Sequence, residues 1–513
     1  MRRLKVDRSR WTAPPFYVFV IITIACGSIP KGYDEGGYSA SVRLDSFEAD
    51  FNLLSSNWTN DPTGLANRTA NITSFNILGA ALGALISLDL NDRLGRLQSW
   101  RLSCVVWAFG MLIQVFSSGI YGLLLFARIF SGLGAGALTV VTPLYLSEIA
   151  PARTRGLVVS IYMVVLLAVL SLGFFINYAA QVHMAATPRQ YRLVQAIPII
   201  PVGVAFMASL ILPETPRYLI SRCRLDEGRG VLARLRGKDI SSPEVDDEFR
   251  LITTQTRLRA HTLSFTTNWT AFKETQSNPN YRQRFWLLMA MQTVSQWTGG
   301  NGITYYVSSI FETAGVTGDA ISLVSSGAYG IVKLIFTMAF TWGLIDYLGR
   351  RRCTLLGLSL QMAAHIYLAC YMGVLRPTGT NPINKPASDA AITSIFVYAV
   401  GWSIGLCTIP YLYGTEIFPT RIRNICYAVS MSLHWFFQFA VVRVTPNMFV
   451  SLHDWGAYLF WALVCFVGLI VLGIWMPETK GVDIERMGEL FEGPWYLRWR
   501  AKVKPEEKAE GRK

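Results

Sequence analysis

Charged residues are scarce in this sequence, and several other signals that define a protein class are missing. Asp, Glu, Lys and Arg make up 16% of its 513 residues, whereas a soluble domain carries roughly 25%. Its 42 glycines and 8 cysteines are too few for a collagen-like chain or a disulfide framework of this length. Disorder is excluded for most of the chain because aromatic residues reach 13%. The remaining class is a polytopic membrane protein.

Patterns that support catalysis or metal binding are also missing. The cysteines lack the spacing of metal ligands, and the five histidines are scattered. We find no Ser/His/Asp arrangement and no glycine-rich loop that would hold a phosphate. We therefore expect no enzyme activity, no metal site and no cofactor.

Twelve apolar runs alternate with short charged segments. A helix that spans a bilayer needs about 20 mostly apolar residues, and the runs are of about that length. We number them spans 1 to 12, and their cores lie at about 16–40, 72–90, 101–117, 119–147, 156–180, 191–212, 284–314, 321–346, 353–375, 390–415, 422–447 and 455–476. The predicted fold class is an all-α membrane protein with twelve transmembrane helices.

The distribution of Lys and Arg predicts the orientation of the chain. Basic residues fill the N-terminal tail, the loops after spans 2, 4 and 8, the long loop after span 6 and the C-terminal tail. Cytoplasmic loops carry an excess of Lys and Arg, so both termini of this multi-pass protein are predicted to lie on the cytoplasmic side of the cell membrane. This bias accounts for the net charge of +14, and we expect no nucleic-acid partner.

The segment at 43–71 lies on the opposite side of the predicted membrane. It contains Asn-X-Ser/Thr sequons at Asn57, Asn67 and Asn71. Glycosylation requires exposure outside the cytoplasm, so these sequons support the orientation and are predicted glycosylation sites. Asn268 is a further sequon, but it lies in the predicted cytoplasmic loop and should stay unmodified.

Three charged motifs occur twice in the same order. The copies are separated by 254, 268 and 264 residues, a nearly constant offset that chance explains poorly. The charged residues of the motifs are Asp92, Arg96, Glu148, Arg155 and Glu214 in the first copy and Asp346, Arg350, Glu416, Arg423 and Glu478 in the second. Such repeats are typical of transporters built from two similar halves around a site at the membrane midplane.

The repeats predict a division of the chain into two pseudo-symmetric six-helix halves. The halves are predicted at 16–212 and 284–476. A cytoplasmic loop with short helices joins them at 213–283, and cytoplasmic tails flank them at 1–15 and 477–513.

The motifs at the ends of spans 4, 6 and 12 resemble those of a known family. Residues 128–134 contain an Arg followed by two Gly, residues 143–156 run from Pro143 through Glu148 to Gly156, and Pro-Glu-Thr occurs after both span 6 and span 12. In combination they resemble the sugar porter family of the major facilitator superfamily over roughly residues 16–481. The overall character is that of fungal members, among them quinate permeases and other sugar-acid transporters. The resemblance implies alternating access by rocking of the two halves.

The repeated charged residues lie at the predicted cytoplasmic ends of the helices, where they can pair between neighbouring helices. We interpret both copies as a cytoplasmic latch. Each exposed ion pair is worth only about 0–1 kcal/mol, which suits a contact that breaks in every cycle. The alternative is positive charge that only sets the topology. Leu88 and Leu97 depart from the family pattern, which usually has a Gly and a basic residue there.

Two acidic residues near the end of span 1 are candidates for proton coupling. Asp34 and Glu35 lie inside the apolar run, where an ionised side chain costs about 2.5–3.5 kcal/mol. The resemblance places Asp34 at the position of the Asp of proton-coupled members, close to the span 4 Arg that matches Arg128. We predict that protonation of Asp34 breaks this pair. A static ion pair is the alternative, and Glu35 is the alternative carboxylate.

The family's substrate-binding positions are partly altered in this chain. The resemblance implies substrate contacts at Met163, Ser295, Gln296, Asn301, Tyr411, His434 and Trp435. Met163, Ser295 and His434 stand where the family usually has Gln, so three sugar-binding amides are lost and one position gains a potential cation. Span 10 has a Tyr where a sugar-stacking Trp is common.

Span 7 contains a candidate gate. Gly299 and Gly300 can break the helix, as a gating helix requires, and Tyr305 and Tyr306 follow as a candidate lid.

Lys333 lies near the middle of span 8, about 18 Å from either end. Its ammonium group cannot reach the membrane surface over that distance, so it must face the central cavity or a carboxylate. A carboxylate on the substrate would supply the partner. Arg443, in contrast, lies close to the end of span 11 and is predicted to reach the surface.

The sequence therefore favours a proton-coupled importer of a sugar acid or cyclic polyol acid, such as quinate or galacturonate. The alternatives left open are a transporter or uniporter of a neutral hexose, pentose or polyol, and a transporter-like nutrient sensor. The short C-terminal tail disfavours the sensor, since sensors tend to carry long cytoplasmic tails. We expect a monomer whose partners are the small-molecule substrate, the proton and the lipid bilayer.

Overall fold

The computed structural model describes residues 14–54, 58, 60–151, 154–260, 265–375, 384–480, 482, 487–492 and 494–501. All regular structure in these ranges is helical, and no strand occurs in them. The all-α prediction is therefore confirmed. Most of the predicted N-terminal tail and the end of the C-terminal tail lie outside the described ranges.

Spans 1 to 6 form the first half. Span 1 consists of three short α-helices joined by a 3-10 turn at Cys26–Ser28 and a π-helical turn at Asp34–Tyr38. Span 6 is divided at Pro198, because proline lacks the amide hydrogen that continues a helix. The helices of this half are α1 (Pro15–Ala25), α2 (Ile29–Tyr33), α3 (Ser39–Ser41), α4 (Asp45–Asp50), α5 (Pro62–Leu94), α6 (Arg96–Val115), α7 (Tyr121–Ile149), α8 (Arg155–His183), α9 (Pro188–Ala196) and α10 (Ile199–Ser209).

Four helices lie in the segment that connects the halves. They are α11 (Pro216–Ser221), α12 (Leu225–Arg236), α13 (Pro243–Ala260) and α14 (Phe265–Ser277). α12 ends at Gly237, whose φ of 63° gives the left-handed residue with which many helices terminate.

Spans 7 to 12 form the second half. π-helical turns lie within span 8 at Phe340–Leu344 and at the end of span 9 at Tyr371–Leu375. The helices are α15 (Pro279–Trp297), α16 (Gly300–Thr313), α17 (Asp319–Ala339), α18 (Ile345–Leu348), α19 (Arg350–Cys370), α20 (Lys385–Gly405), α21 (Ile409–Glu416), α22 (Thr420–Ser451) and α23 (Trp455–Trp475). Two 3-10 segments, Glu489–Phe491 and Trp495–Arg500, follow.

Within the described ranges, ten helices are long and apolar enough to cross a membrane. They correspond to ten of the twelve predicted spans. The other two predicted spans are also helical: span 3 is α6, which contains Arg96 and Arg101, and span 7 is divided into α15 and α16. The polar residues of α6 make span 3 less apolar, and the break in span 7 divides it into two shorter helices.

The two halves meet along two pairs of helices. α5 packs against α22, and α8 packs against α17. Large apolar side chains such as Ile22, Phe126 and Phe466 are more than half exposed on the outside of the bundle. An apolar exterior suits contact with lipid, and it leaves the polar side chains that matter for function inside, between the halves.

Candidate transport site

Asp34 and Arg128 form a buried ion pair between spans 1 and 4. Arg128 Nη1 lies 2.5 Å from Asp34 Oδ1, and both side chains are buried. The guanidinium group also donates to the main-chain carbonyl groups of Ile72 and Thr73, at 2.8 and 3.2 Å. It lies 3.8 Å from the ring centre of Tyr38. Arg128 is thus fixed by its neighbours, whereas Asp34 belongs to the π-helical turn of span 1, a feature frequent at functional sites.

The lid tyrosines of span 7 contact the first half. The hydroxyl group of Tyr305 donates to Asp34 Oδ2 at 2.6 Å. The hydroxyl oxygen of Tyr306 lies 2.7 Å from Thr73 Oγ1. The Tyr306 hydroxyl group donates to the carbonyl oxygen of Val442 at 3.2 Å. The carboxylate of Asp34 therefore contacts both Arg128 of span 4 and Tyr305 of the candidate lid.

Span 7 is broken at the predicted glycines. α15 ends at Trp297 and α16 begins at Gly300, and Gly299 between them has a φ of 87°. This left-handed conformation is open to glycine and costly for other residues. A Cβ atom on Gly300 would lie 2.5 Å from Trp402 Nε1. The segment with the candidate lid residues is thus separated from α15 by a break at Gly299.

A network of side-chain contacts joins spans 7, 10 and 11. Asn301 donates to Gln296 Oε1 at 3.0 Å, and Gln296 Nε2 lies 3.1 Å from His434 Nδ1. The Tyr411 hydroxyl oxygen lies 2.9 Å from His434 Nε2, and Gln292 Oε1 lies 2.9 Å from His434 Nδ1. The structure brings together four predicted substrate-binding residues and adds Gln292, which the sequence analysis missed. Gln292 precedes Gln296 by four residues on one helix face, and that spacing could have indicated it.

The other predicted substrate-binding residues have apolar or internal contacts. Trp435 is buried beside His434, with ring centres 6.0 Å apart. The Ser295 hydroxyl donates to the carbonyl of Leu406 at 3.3 Å. Met163 is half-buried and packs against the large apolar core. The contacts of Ser295 and Met163 set the shape of the site rather than its polar character.

Lys333 is buried at the centre of span 8, with 1% of its surface exposed. Its Nζ donates to Thr304 Oγ1 at 3.1 Å and lies 4.1 Å from the ring centre of Trp402. Among the described residues, no carboxylate lies within ion-pair distance of this ammonium group. An aromatic face and one hydroxyl compensate a buried charge only partly. Lys333 is therefore a buried cation without a close counter-ion.

A second buried ion pair in span 1 was missed by the sequence analysis. Lys31 Nζ lies 2.7 Å from Glu35 Oε1, and both side chains are buried. The ammonium group lies 4.5 Å from the ring centre of Trp435 and 5.9 Å from that of Tyr305, so it faces the second half. The reasoning that selected Lys333, a charge inside an apolar run, also selects Lys31.

Side chains of both halves meet at the end of the bundle that carries the sequons. Arg43 Nη2 lies 2.5 Å from Glu312 Oε2. Arg443 Nη2 and Asn447 Nδ2 donate to Asn67 Oδ1, at 3.0 and 2.9 Å. We call these five residues the outer clasp. Arg443, predicted to reach the membrane surface, instead joins the two halves, because a neutral amide oxygen of the first half is within reach. The clasp closes this end of the bundle.

The predicted glycosylation sites differ in their surroundings. Asn67 and Asn71 both lie on α5 and are half-buried. Asn71 Nδ2 donates to the Tyr121 hydroxyl at 3.3 Å. A glycan is attached to this nitrogen, so its contact competes with modification. Asn57 lies outside the described residues.

The first copy of the predicted latch forms one cluster. Arg96 Nε lies 3.1 Å from Glu148 Oε1, and Arg96 Nη1 lies 3.4 Å from Asp92 Oδ1. The hydroxyl of Thr215 donates to Glu148 Oε2 at 2.5 Å. The side chain of Arg155 lies outside the described part of the chain. The cluster joins the ends of α5, α6 and α7 to the segment after span 6.

The second copy repeats this arrangement. Arg350 Nη2 lies 3.1 Å from Glu416 Oε1, and the hydroxyl of Thr479 donates to Glu416 Oε2 at 3.1 Å. The side chains of Asp346 and Arg423 are not among those that the structure describes. The contacts described in each cluster come from one half, so each cluster braces the helices of its own half.

Glu214 and Glu478 occupy equivalent positions in the two clusters. Glu214 Oε2 accepts from the main-chain N–H of Leu97 at 2.9 Å, and Glu478 Oε2 accepts from that of Arg351, the residue equivalent to Leu97, at 3.2 Å. Burial raises the pKa of Glu214, and main-chain hydrogen bonds from Thr215 and Leu97 oppose the rise. The internal repeat seen in the sequence is therefore a repeat of hydrogen bonds as well.

Two six-helix halves, with a buried polar site between them and a closed end, define a membrane transporter of the major facilitator type. The family model described as "Sugar (and other) transporter" matches residues 20–491. The chain belongs to this family, as its resemblance to sugar porters predicted, and it is an integral membrane protein with multiple spans. It is a transporter and not an enzyme.

Curated relatives and solved structures agree with this assignment. A quinate permease of Neurospora terricola is 27% identical over 96% of this chain and 92% of its own length. A probable quinate permease of Aspergillus niger is 29% identical over 92% of this chain and 87% of its own length. The xylose transporter XylE of E. coli is described as a proton:xylose symporter. Its structure superposes on 93% of this chain and 99% of the XylE chain with a TM-score of 0.74, at 19% sequence identity. The twelve-helix fold class is thereby confirmed.

Proposed function

We propose that this sugar transporter family member is a proton-coupled importer of a small polyhydroxylated acid, such as quinate or a uronic acid. The observation that carries the proposal is the charge balance of the buried site. Lys31, Arg128 and Lys333 supply three positive charges, against two negative charges from Asp34 and Glu35. Each carboxylate already has a close cationic partner, so the excess positive charge rests on Lys333. A substrate carboxylate would balance it.

The surroundings of this charge also suit hydroxyl groups. Trp402 and Trp435 are buried, and neither indole Nε1 has a hydrogen-bond acceptor within the described structure. An unsatisfied buried donor costs about 1–3 kcal/mol, so a ligand oxygen at these donors would be favourable. Gln296, Asn301 and His434 offer further polar groups. Quinate, named in the relatives, is a cyclic polyol acid, which combines the two kinds of group.

Proton coupling is proposed for Asp34. Protonation neutralises the carboxylate, so its attraction to Arg128 is lost and its contact with the hydroxyl of Tyr305 weakens. The lid of span 7 would then be released from the first half. The description of the structurally similar xylose transporter as a proton symporter supports this step by analogy of fold.

The location, orientation, oligomeric state and glycosylation of the protein belong to the same proposal. We place the protein in the cell membrane as a monomer, with both termini and both charged clusters on the cytoplasmic side. The clusters would act as the predicted latch by bracing neighbouring helix ends within each half on the cytoplasmic side. Of the predicted glycosylation sites, Asn57 is favoured over Asn67 and Asn71 by the side-chain contacts of the latter two.

A neutral sugar or polyol is the second candidate substrate. Gln296 and Asn301 are retained at sugar-binding positions, and they lie 3.0 Å apart in one hydrogen bond that a hydroxyl group could replace. The charge of the substrate therefore distinguishes the two candidates, a polyhydroxylated acid and a neutral sugar or polyol.

Competition by a matched acid and neutral sugar tests the proposal. Galacturonate and galactose would compete with labelled substrate in wild type and in Lys333→Gln, expressed in transporter-deficient cells. We expect Lys333→Gln to weaken the acid by roughly 10–150-fold and the neutral sugar far less, as a lost charge-assisted contact implies. Equal losses for both ligands would assign Lys333 a structural role and favour the neutral substrate.

A further inference from the structure

Lys31 and Lys333 are two lysines buried in the same site, and their counter-ions differ. Lys31 is paired with Glu35 at 2.7 Å. Lys333 contacts the hydroxyl of Thr304 and the ring of Trp402. Two cations of the same type thus share one site in which only one of them has a carboxylate close by.

Glu35 lies in a segment of span 1 that packs close to the segment of span 8 that carries Lys333. It is buried, with 5% of its surface exposed, and it pairs with Lys31. A Cβ atom on Gly36, the residue after Glu35, and one on Gly330, three residues before Lys333, would both contact Leu170. Lys31 precedes Glu35 by four residues in span 1, so the two side chains lie about one helical turn apart on the same element. Lys333 belongs to span 8 in the other half. Glu35 is therefore paired with Lys31 rather than with Lys333.

Contacts from the second half favour this pairing further. The ammonium group of Lys31 lies 4.5 Å from the ring centre of Trp435. Such a contact attracts a cation, and the attraction is stronger the more the cation is desolvated. Lys31 is thus held between Glu35 on its own helix and an aromatic face across the interface.

We propose that Lys31 determines whether the transporter accepts an acid or a neutral solute, and that it acts through Glu35. By holding the Glu35 carboxylate, Lys31 leaves Lys333 without an internal counter-ion and therefore available to a substrate carboxylate. Lys31 is a positioning residue that need not touch the substrate. This inference rests on the proposed function, since it presupposes that Lys333 binds the carboxylate.

Removing Lys31 reverses the charge balance. Glu35 would then be a buried carboxylate without its partner, a costly state that Lys333 can relieve by pairing with it. Glu35 would neutralise Lys333, Asp34 would neutralise Arg128, and the site would carry no net charge. An additional acid would then be unfavourable, whereas a neutral polyol would not.

Three variants test this mechanism: Lys31→Met, Glu35→Gln and the double variant. The measurement is the ratio of the inhibition constants of galacturonate and galactose in competition with labelled substrate, with protein abundance and thermal stability recorded for each variant. Lys31→Met should reduce the preference for the acid by roughly 10-fold or more. The double variant should restore the preference to near the wild-type value, because Lys333 is again unpaired. Glu35→Gln alone should keep or increase it.

Each other outcome has a separate meaning. If the double variant fails to restore the preference, Lys31 is itself a ligand of the acid, which overturns the inference but leaves the proposed function intact. An unchanged ratio in Lys31→Met, or a fall in Glu35→Gln, also overturns the inference. Lys31→Met is the variant most at risk of misfolding, and Glu35→Gln and the double variant avoid the unpaired carboxylate. Failure of the proposed function itself would appear as equal losses of acid and neutral ligand in Lys333→Gln.

Discussion

Tyr305 in the second half donates a hydrogen bond of 2.6 Å to Asp34 Oδ2 in the first half, while Arg128 holds the other oxygen of the same carboxylate. Coupling a proton to movement requires a group that takes part in both. Asp34 meets this requirement, because its charge determines its attraction to Arg128 and its partner Tyr305 belongs to the lid. In the proposed mechanism, these two contacts of one carboxylate would connect proton binding with the contacts between the two halves.

Replacing Asp34 by Asn should separate exchange from accumulation. The amide is isosteric with the protonated acid and cannot ionise, so it mimics one state of the coupling group permanently. We expect Asp34→Asn to lose uphill accumulation and proton co-entry but to retain counterflow exchange. The measurement is uptake driven by a pH gradient against counterflow in the same vesicles. Full pH-driven accumulation by this variant would exclude Asp34 as the coupling group.

Gly299 should tolerate substitution poorly, because its backbone is left-handed. Its φ of 87° costs any other residue about 1–2 kcal/mol, and a Cβ atom would lie 3.1 Å from atoms of both Ile303 and Trp461. We expect Gly299→Ala to lower the maximal transport rate more than the apparent affinity. Gly343→Ala is the matched control, because nothing lies within 4 Å of a Cβ atom there. Equal rates in the two variants would show that span 7 does not bend at this joint during transport.

The sequence predicted the parts of the site that local patterns determine. Charges in apolar runs pointed to Asp34 and Lys333, the family resemblance pointed to Arg128, and paired glycines pointed to the break in span 7. Charges and glycines inside a membrane span are costly unless they serve a purpose. The repeated motifs likewise predicted two similar halves. Lys31 was missed although the same signal was present.

Contacts that depend on closure of the two halves could not be predicted. Tyr305 and Asp34 are separated by 271 residues, and Arg443 and Asn67 by 376. No local pattern specifies which residues meet when two halves rotate against each other. Arg443 shows the consequence: its distance from the helix end suggested contact with the membrane surface, whereas an acceptor in the other half lies closer.

The first latch cluster should depend on Glu148 far more than on Asp92. Both acids contact Arg96, but the side chain of Glu148 is 6% exposed and that of Asp92 is 56% exposed. Removing the buried partner leaves a buried guanidinium group, so Glu148→Gln should destabilise the protein by about 3–5 kcal/mol. Asp92→Asn should cost less than about 1 kcal/mol. Thermal unfolding of the purified variants measures both. Similar shifts would mean that burial does not govern this cluster, and Glu416→Gln should act in the same direction as Glu148→Gln.

Weakening the outer clasp should open the end of the bundle that carries the sequons. The pair between Arg43 and Glu312 is about one-third exposed, at 32% and 29% of the two side chains. An ion pair of this exposure contributes about 0.2–1 kcal/mol, so Arg43→Gln should shift the balance between closed and open states by roughly 1.5- to 5-fold. Exchanging the two charges, with Arg43→Glu and Glu312→Arg together, should restore most of the closed state.

Distances between spin labels at Ile120 and Leu452 measure this shift. Both side chains are exposed near the outer end, one in each half, and the exposed thiols of Cys223 and Cys370 would first be replaced. We expect the longer distance to gain population in Arg43→Gln and to lose it again in the charge exchange. Each variant would be measured at two salt concentrations. Salt screens a partly exposed ion pair, so Arg43→Gln should change the distance distribution less at high salt. If the distance distribution is the same in all variants, the closed end is held by Asn67, Tyr305 and Tyr306 without help from this ion pair.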